Sequence, residues 1–576
     1  MKLETFFEHF DLLTDAPNAA AKLREIILQL AVQGKLERQN IKDESISVLI
    51  NQIEARKKEI TKLKGIKEIK VAPVDSSFKP PFEIPSHWRW TRLGEISQKL
   101  GAGSTPLGGR NVYTESGIKF LRSQNVWNDG LRLASVAYIS PKIHQKMSGT
   151  SIEPGDILLN ITGASIGRSA IVPEAFDEAN VSQHVSIIRL VDKSIRHYVH
   201  LCIISSLIQT KIAEVQVGIS REGLSMTRLK DFPLPLPPLA EQKRIVEKVD
   251  RLLVFCDAID KHQQQRQQNL LTINDTALAQ LLAAPTPDDF QHHWQGLCNN
   301  FDLLYSTPET IPKLRQAILQ LGFSGKLTKP ESGDDEVNEL FENIKSARSK
   351  LLKETRFRDP QNLKGEIQDE ELIFEIPKYW VWSRIGHIFL ISSGTTPNRL
   401  NHSYFENGTE YWVKTTDLNN DLVLSCEEKI TKQAVIDCNL KYYPPGTVCV
   451  ALYGGAGTIG KSGLLGIETT INQSVCGIYP NQHVEPKYLH LYLKLIRPLW
   501  MNFAASLRKA PNINAGVVNN MIFPLPPLAE QKRIVAKVDS LLSLCDALEA
   551  KLKAVRDSSA TLMDIAARQI VMTEGA

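Results

Sequence analysis

The sequence lacks the features that mark secreted and membrane-spanning proteins. Its eight cysteines are scattered over 576 residues without a C-x-x-C pair, which excludes a disulfide scaffold and a zinc ribbon and predicts reduced thiols. No apolar run approaches the roughly 20 residues that cross a bilayer, and charged residues interrupt the first apolar stretch, so we expect no signal peptide. These absences predict a cytoplasmic protein with no membrane partner.

The chain also lacks a strong excess of either charge. Lysine and arginine together number 68 against 64 acidic residues, a net charge of +4, which excludes a histone-like composition. The positive charge is nevertheless unevenly distributed, since residues 80–235 carry a net charge of +4 and residues 372–524 a net charge of +3. These two segments are therefore the ones suited to neutralising phosphates.

The sequence is an internal duplication. The eleven residues L-P-P-L-A-E-Q-K-R-I-V occur at 236–246 and again at 525–535, and the pattern I-P-x-x-W-x-W-x-R-x-G occurs at 84–94 and 376–386. The offsets of 289 and 292 residues are close to half of the chain, and a repeat of this length is far too long for a solenoid. The duplication predicts two similar halves related by a pseudo-two-fold axis.

Each half alternates a helical segment with a mixed segment. Short apolar runs bracketed by glycine and proline, such as Asp156–Thr162 and Thr447–Tyr453, predict strands in the mixed segments. After each L-P-P-L motif, apolar residues recur about every 3.5 positions, from Ile245 to Ile273 and from Ile534 to Leu562, which predicts long coiled-coil helices. The predicted fold class is α+β, with two mixed α/β domains separated by long helices. The predicted boundaries are 1–79, 236–371 and 525–576 for the helical regions, and 80–235 and 372–524 for the mixed domains.

This arrangement closely resembles the specificity (S) subunit of type I restriction-modification systems, in particular the longer members of that family. The resemblance rests on the two doubled motifs and spans essentially the whole chain. It implies that each mixed segment is a target recognition domain that reads one half of a bipartite, asymmetric sequence in double-stranded DNA. It also implies that antiparallel coiled-coil helices separate these domains and that the subunit has no active site of its own.

The same resemblance implies partner subunits and a place for them to dock. Two methyltransferase (M) subunits are expected on the helical segments, and restriction (R) subunits are expected to join them. No metal or cofactor is expected on this chain, because S-adenosylmethionine, ATP and Mg²⁺ are expected on the partner subunits. The docking candidates are the residues of the doubled motif: Leu239, Glu241, Gln242, Arg244, Leu528, Glu530, Gln531 and Arg533.

Two other classes of protein compete with this interpretation. Residues 455–462, G-A-G-T-I-G-K-S, satisfy the phosphate-loop pattern of an NTPase, in which Lys461 would contact the phosphates. The residues that follow resemble a strand rather than the required helix, which favours a glycine-rich hairpin turn. The other alternative is a coiled-coil scaffold without sequence-specific DNA binding. A methyltransferase is disfavoured because the sequence contains no N-P-P-Y or D-P-P-Y loop.

Candidate DNA contacts lie on loops at corresponding positions of the two mixed segments. Arginine can fork onto guanine, and asparagine or glutamine onto adenine. The two sets differ in chemistry, as expected for two unlike half-sites. In the first segment the candidates are Arg110, Asn111, Arg122, Gln124, Asn125, Asn128, Arg168 and Arg221. In the second segment they are Arg399, Lys414, Thr416, Asn419, Lys461, Arg508 and Lys509.

Overall fold

The chain folds into two compact units, as described by a computed structural model. The first unit contains residues 1–267 and 555–576, and the second contains residues 268–554. Two long helices, Leu239–Leu282 and Leu528–Met572, each contribute to both units. No helix within the described ranges is long and apolar enough to cross a membrane. The structure describes residues 10–64, 69–71, 74, 78–108, 112–216, 223–355, 357, 359–360, 363–454, 457–503 and 513–572.

The first unit combines a helical region with a mixed α/β domain. The helices are α1 (Phe10–Thr14), α2 (Ala19–Val32), α3 (Ile46–Lys64), α4 (Pro141–Lys146), α5 (Arg196–Ile204), α6 (Ser206–Gln216), α7 (Met226–Lys230) and α8 (Leu239–Leu282). The strands are β1 (Arg89–Arg92), β2 (Ser97–Ala102), β3 (Tyr113–Thr114), β4 (Ile118–Leu121), β5 (Val126–Trp127), β6 (Gly130–Leu131), β7 (Ala137–Ile139), β8 (Ile157–Asn160), β9 (Ser169–Ile171), β10 (Ala179–Val181), β11 (Val185–Leu190) and β12 (Pro233–Leu236).

Two four-stranded sheets form the mixed domain of the first unit. One has the strand order β2-β11-β8-β9 with antiparallel neighbours, and the other has the order β10-β4-β7-β3 with a parallel β10–β4 pair. Strand β8 is buried on both faces because its residues are almost all apolar. This strand confirms the prediction for Asp156–Thr162. The antiparallel pair β1–β12 brings together the two ends of the mixed domain.

The second unit repeats the general order of elements, with ten strands in its described residues where the first unit has twelve. The helices are α9 (Pro287–Asn299), α10 (Phe301–Leu304), α11 (Ile311–Phe323), α12 (Val337–Glu354), α13 (Ile385–Ile388), α14 (Lys432–Asp437), α15 (Pro486–Ile496), α16 (Ala515–Asn520) and α17 (Leu528–Met572). The strands are β13 (Val381–Arg384), β14 (Ile391–Ser393), β15 (Glu410–Val413), β16 (Leu422–Val423), β17 (Lys429–Ile430), β18 (Val448–Ala451), β19 (Ser462–Leu465), β20 (Thr470–Ile471), β21 (Val475–Ile478) and β22 (Ile522–Leu525).

The sheets of the second unit differ from those of the first in how many strands each contains. A five-stranded sheet has the order β14-β21-β18-β19-β16, and a three-stranded sheet has the order β17-β15-β20. Strand β16 joins the larger sheet through parallel pairing with β19, whereas β6 of the first unit pairs with β5. Strand β18 confirms the strand predicted at Thr447–Tyr453, and β13–β22 repeats the closing pair β1–β12.

Equivalent ion pairs hold the helical region within each unit. They connect helix α2 in the first unit and helix α11 in the second unit to the long helices. Each of these two helices follows a copy of the sequence F-D-L-L, at 10–13 and 301–304. Exposed ion pairs each contribute little stability, but their recurrence shows that the duplication extends to side-chain contacts. The matching pairs are Lys22–Asp564 at 3.2 Å with Lys313–Asp275 at 2.9 Å, and Arg24–Asp260 at 2.8 Å with Arg315–Glu549 at 2.9 Å.

The predicted apolar seam of the long helices is right at its start and wrong towards its end. Ile245, Val249 and Cys256 are buried on α8 as predicted. Farther along, Ile273 is 53% exposed and its neighbour Asn274 is buried. The shift by one position arises because the buried face steps by four residues, from Leu270 to Asn274, where the heptad pattern predicts a step of three. Helix α17 shows the same change, with Leu562 exposed and Met563 buried.

Candidate nucleic-acid interface

A short turn that follows strand β4 carries several DNA-binding candidates of the first unit. The turn, Ser123–Asn125, is a single 3₁₀ turn. Asn125 is fully buried; its Oδ1 accepts a hydrogen bond from the Arg122 backbone N–H at 2.9 Å, and its Nδ2 donates to the Arg132 carbonyl at 2.8 Å. Asn125 therefore fastens the turn. Its prediction as a DNA contact is corrected, because the side chain has no surface left for a base edge.

The other two candidates on this turn remain accessible. Gln124 is exposed, and its Nε2 donates to Ser135 Oγ at 3.1 Å. Arg122 is half-buried, and its Nη2 donates to the Ser135 carbonyl at 2.9 Å. Both side chains thus lean on the same loop residue, which limits their rotamers while part of each stays at the surface.

The second unit repeats this turn with a carboxylate in place of the amide. In the turn Thr415–Asp417, after β15, Asp417 Oδ2 accepts a hydrogen bond from the Lys414 backbone N–H at 2.7 Å, and its Oδ1 accepts one from the Glu427 backbone N–H at 3.0 Å. Thr416 and Asn419 are exposed beside it. The backbone of the turn is preserved, while the side chains that it presents differ between the two units.

A hydrogen bond accepted by an asparagine side chain links this loop to a β-hairpin in each unit. Asn128 Oδ1 accepts a hydrogen bond from the Ser169 backbone N–H at 3.0 Å. In the second unit Asn420, at φ +60°, accepts the corresponding bond from the Ser462 backbone N–H, also at 3.0 Å. The structural counterpart of Asn128 is therefore Asn420, one residue beyond the predicted Asn419. Asparagine tolerates the left-handed conformation that Asn420 adopts.

The first unit contains an aromatic and two basic side chains that the sequence analysis did not combine. The guanidinium groups of Arg132 and Arg168 each lie 3.7 Å from the ring centroid of Trp127. The Trp127 indole is itself fixed, because its Nε1 donates to the Gln124 carbonyl at 2.9 Å. Of these three residues only Arg168 was a candidate. The tight W-N-D-G turn between β5 and β6 was the signal for a half-buried tryptophan at this place.

The basic candidates of the second unit are compensated by carboxylates. Arg399 binds Glu428 through two hydrogen bonds and also covers the rings of Phe405 and Trp412. Lys414 Nζ lies 3.0 Å from Glu428 and 3.4 Å from Glu427. Burial tends to raise the pKa of Glu428, but the hydrogen bonds from Arg399 and Lys414 outweigh it and lower that pKa. This loop therefore presents less uncompensated positive charge than its counterpart.

Residues 457–460, directly before Lys461, form turns in the connection between strands β18 and β19 of a β-hairpin. Strands β18 and β19 pair antiparallel, with Val450 opposite Ser462, so a strand follows Lys461 directly. A phosphate loop requires a helix N-terminus at this point. The NTPase interpretation is therefore wrong, and the predicted hairpin turn is confirmed. Lys461 is half-buried on this turn, and Arg168 occupies the corresponding turn between β8 and β9.

Five of the predicted DNA contacts lie outside the described residues. They are Arg110, Asn111, Arg221, Arg508 and Lys509. Within the described part of the chain, no group of three or more histidine, cysteine, aspartate or glutamate side chains is arranged to hold a metal ion.

The glutamates of the doubled L-P-P-L-A-E-Q motif lie inside the protein. Glu241 accepts a hydrogen bond from Trp88 Nε1 at 3.1 Å, and its other carboxylate oxygen lies 2.8 Å from His87 Nε2. Glu530 accepts a hydrogen bond from Trp380 Nε1 at 3.0 Å. Both carboxylates are buried. The two doubled motifs therefore bind each other: the tryptophan of one pattern is held by the glutamate of the other.

The remaining residues of the motif are also engaged within the chain. Gln242 and Gln531 are buried and donate to the Pro237 and Pro526 carbonyls, at 2.8 and 3.0 Å. Arg244 binds both oxygens of Asp43, and these hydrogen bonds lower the pKa of Asp43; Arg533 and Asp334 form the same pair. Docking through Glu241, Gln242, Glu530 and Gln531 is corrected, since buried side chains cannot contact a partner. Leu239, Arg244, Leu528 and Arg533 keep partial exposure.

Comparison with known proteins agrees with the duplicated architecture. The chain belongs to the type I restriction modification DNA specificity domain family, whose model matches residues 85–268 and 377–555. The specificity subunit of the type I restriction enzyme EcoAI from Escherichia coli is 27% identical, over 94% of this chain and 92% of that protein. The EcoEI specificity subunit from the same species is 26% identical with the same coverage. A solved chain from a type I restriction-modification system is 18% identical, with a TM-score of 0.46 over 86% of this chain and all of that chain.

Proposed function

We propose that this chain is the DNA specificity subunit of a type I restriction-modification complex. The observation that carries the proposal is the repeated match to the DNA specificity domain, at residues 85–268 and 377–555. Each match contains one mixed domain and the first part of the long helix that follows it. In this proposal the recognition domains, 80–235 and 372–524, each read one half of a bipartite asymmetric DNA target, and antiparallel stretches of α8 and α17 set the spacing.

The side chains at equivalent loop positions support two unlike half-sites. The turn after β4 presents Arg122 and Gln124, whereas the turn after β15 presents Lys414 and Thr416. Arginine presents a rigid fork suited to guanine and glutamine suits adenine, whereas lysine is a flexible point charge and threonine offers a single hydroxyl. Such a difference in donors at matching places favours an asymmetric target over a palindromic one.

Methylation and cleavage are assigned to partner subunits. This chain acts without catalysis: M subunits bind S-adenosylmethionine, and R subunits bind ATP and Mg²⁺. The duplicated helical regions support two M subunits, one for each copy. With the motif glutamates and glutamines buried, the docking proposal moves to apolar side chains exposed on the long helices. Phe255 on α8 is 66% exposed and Leu544 on α17 is 64% exposed, and they are separated by the 289-residue offset of the repeat.

We predict that a complex of this chain with a matching M subunit contains two M subunits for each specificity chain. Phe255→Ser or Leu544→Ser should each remove one M subunit. Each substitution replaces an apolar side chain at the centre of the proposed docking site by a small polar one, and the apolar contact with the M subunit is lost. Native mass spectrometry measures the stoichiometry. The control is Gln264→Ser on an exposed, polar part of α8, which should keep both. A saturated wild-type complex with a single M subunit would contradict this proposal.

We predict that exchanging one mixed domain changes only one half-site. Because β1 and β12 pair with each other, the exchanged segment should run from residue 80 to residue 238, so that the pair is transferred intact. The chain is expressed with its M subunit in a host without other methylation, and single-molecule sequencing of the genomic DNA identifies the modified sequence. The matched control exchanges residues 372–527 and should change the other half-site. If both half-sites change after a single exchange, the assignment of domains fails.

A further inference from the structure

We propose that Arg132 and Arg168, held against the ring of Trp127, form the main electrostatic contact of the first unit with DNA. The inference deepens the proposed function and rests on it. It names two residues, Trp127 and Arg132, that the loop pattern alone did not single out.

The geometry of the three side chains is that of a stack. Both guanidinium groups lie 3.7 Å from the Trp127 ring centroid. Two groups cannot occupy that position on one face of a ring, so they cover opposite faces. A guanidinium that lies flat on an aromatic ring keeps its N–H groups pointing outward in the ring plane, where they can still donate hydrogen bonds. The stack therefore orients two donor forks, of which Arg132 also donates from Nη2 to Asp129 Oδ2 at 3.3 Å.

Backbone contacts hold both ends of the stack. The Trp127 strand β5 pairs with β6, and the indole Nε1 donates to the Gln124 carbonyl. On the other side, the Asn160 backbone N–H donates to the Arg168 carbonyl at 2.8 Å, and Gln209 Nε2 donates to the Gly167 carbonyl at 2.9 Å. A cation that is already positioned loses little conformational entropy when it binds.

The charge of the stack distinguishes it from the contact of Arg399 with aromatic rings in the second recognition domain. Arg399 also covers aromatic rings, but Glu428 neutralises it through two hydrogen bonds. Among the described residues, Arg168 takes part in no ion pair and Arg132 pairs with one carboxylate, that of the exposed Asp129, at 3.3 Å. Arg132 itself remains 55% exposed. The stack thus brings two positive charges to the surface of the first unit, and among the described residues only the exposed Asp129 pairs with one of them.

The outward forks fit a pair of hydrogen-bond acceptors with negative charge or partial charge. In DNA two such pairs exist: the oxygens of a backbone phosphate, and O6 with N7 on the major-groove edge of guanine. Both use the same bidentate donor geometry. They differ in consequence, since a phosphate contact adds affinity for every sequence and a guanine contact adds preference for one base.

The test uses the full chain with its M subunit and measures fluorescence anisotropy on two labelled, unmethylated duplexes. One duplex contains the target sequence that the complex methylates, and the other lacks it. Arg168→Gln should raise the Kd for the target duplex about tenfold. Trp127→Ala should raise the Kd by a similar factor. The variant that combines Arg168→Gln with Trp127→Ala should have a Kd no higher than that of the weaker-binding single variant, because the indole acts through the arginines. Trp127→Phe keeps a ring and should bind nearly as well as the wild type. Arg196→Gln removes another arginine of the first unit, one paired with Glu174 at 2.7 Å, and should change the Kd less than about twofold.

The salt dependence separates the two kinds of contact. If Arg168 binds a phosphate, its loss should lower the slope of log K against log salt by about 0.9 and affect both duplexes. If it binds guanine, the slope should stay while one base of the first half-site becomes degenerate. Wild-type affinity in folded Arg168→Gln and Arg132→Gln variants would overturn this inference alone. If the wild-type complex does not bind the target duplex more tightly than the duplex without the target, the proposed function is overturned instead.

Discussion

Lengthening both long helices by four residues is expected to move the two methylated half-sites apart by one or two base pairs without changing either sequence. The insertions belong after Gln267 in α8 and after Ala554 in α17, because the chain passes between its two units at these two places. Four residues add about 6 Å to a helix, and successive base pairs lie about 3.4 Å apart. A longer connection between recognition domains should therefore match a longer nonspecific spacer.

The experiment compares the modified sequence of the lengthened chain with that of the wild type, in a host that expresses either chain with the M subunit. Inserting in both helices keeps their buried faces in register, which a single insertion would disturb. The control replaces the exposed Gln264, Gln267 and Gln268 by alanine without adding residues, and it should keep the original spacing. An active lengthened variant with an unchanged spacer would show that these helices do not set the distance.

Replacing Glu241 by alanine is expected to destabilise the first unit by roughly 3 kcal/mol. The substitution leaves the buried Trp88 N–H without its acceptor and removes the partner of His87, two contacts that join the start of the mixed domain to the start of α8. Glu530→Ala should cost at least as much in the second unit, since Glu530 also accepts hydrogen bonds from Thr328 and Tyr379. Burial, together with the Glu530 charge, raises the pKa of Tyr379 to about 12.

Urea unfolding followed by tryptophan fluorescence measures these effects, and a lower transition midpoint is the expected result for both variants. The controls are Lys243→Ala and Lys532→Ala, exposed neighbours in the same motif copies, which should change the stability by less than about 0.5 kcal/mol. If the glutamate variants unfold like the lysine variants, the buried carboxylates do not hold the two doubled motifs together. Loss of M binding without loss of stability would instead restore the docking interpretation.

The organisation of the chain could be predicted from its sequence. Recurrence of L-P-P-L-A-E-Q-K-R-I-V at a distance of 289 residues predicts a duplication without any knowledge of contacts. The apolar runs around Leu158 and Val450 predict buried strands, because residues that avoid water on both faces leave few alternatives. The strand-like residues after Lys461 likewise excluded a phosphate loop. Each of these inferences uses only the identities and the spacing of residues along the chain.

The identity of the exposed and buried polar groups depended on the tertiary structure. Glu241 lies in a motif that the sequence predicts to dock a partner subunit. In the structure its carboxylate instead accepts a hydrogen bond from Trp88, which is 153 residues away in the sequence. Asn125 and Gln124 are adjacent and chemically alike, but only the first is enclosed by the turn. The stack on Trp127 joins a hairpin to a second hairpin about 40 residues later. Local sequence determines strands, helices and repeats, whereas burial and pairing of a polar side chain depend on distant segments that only folding brings near.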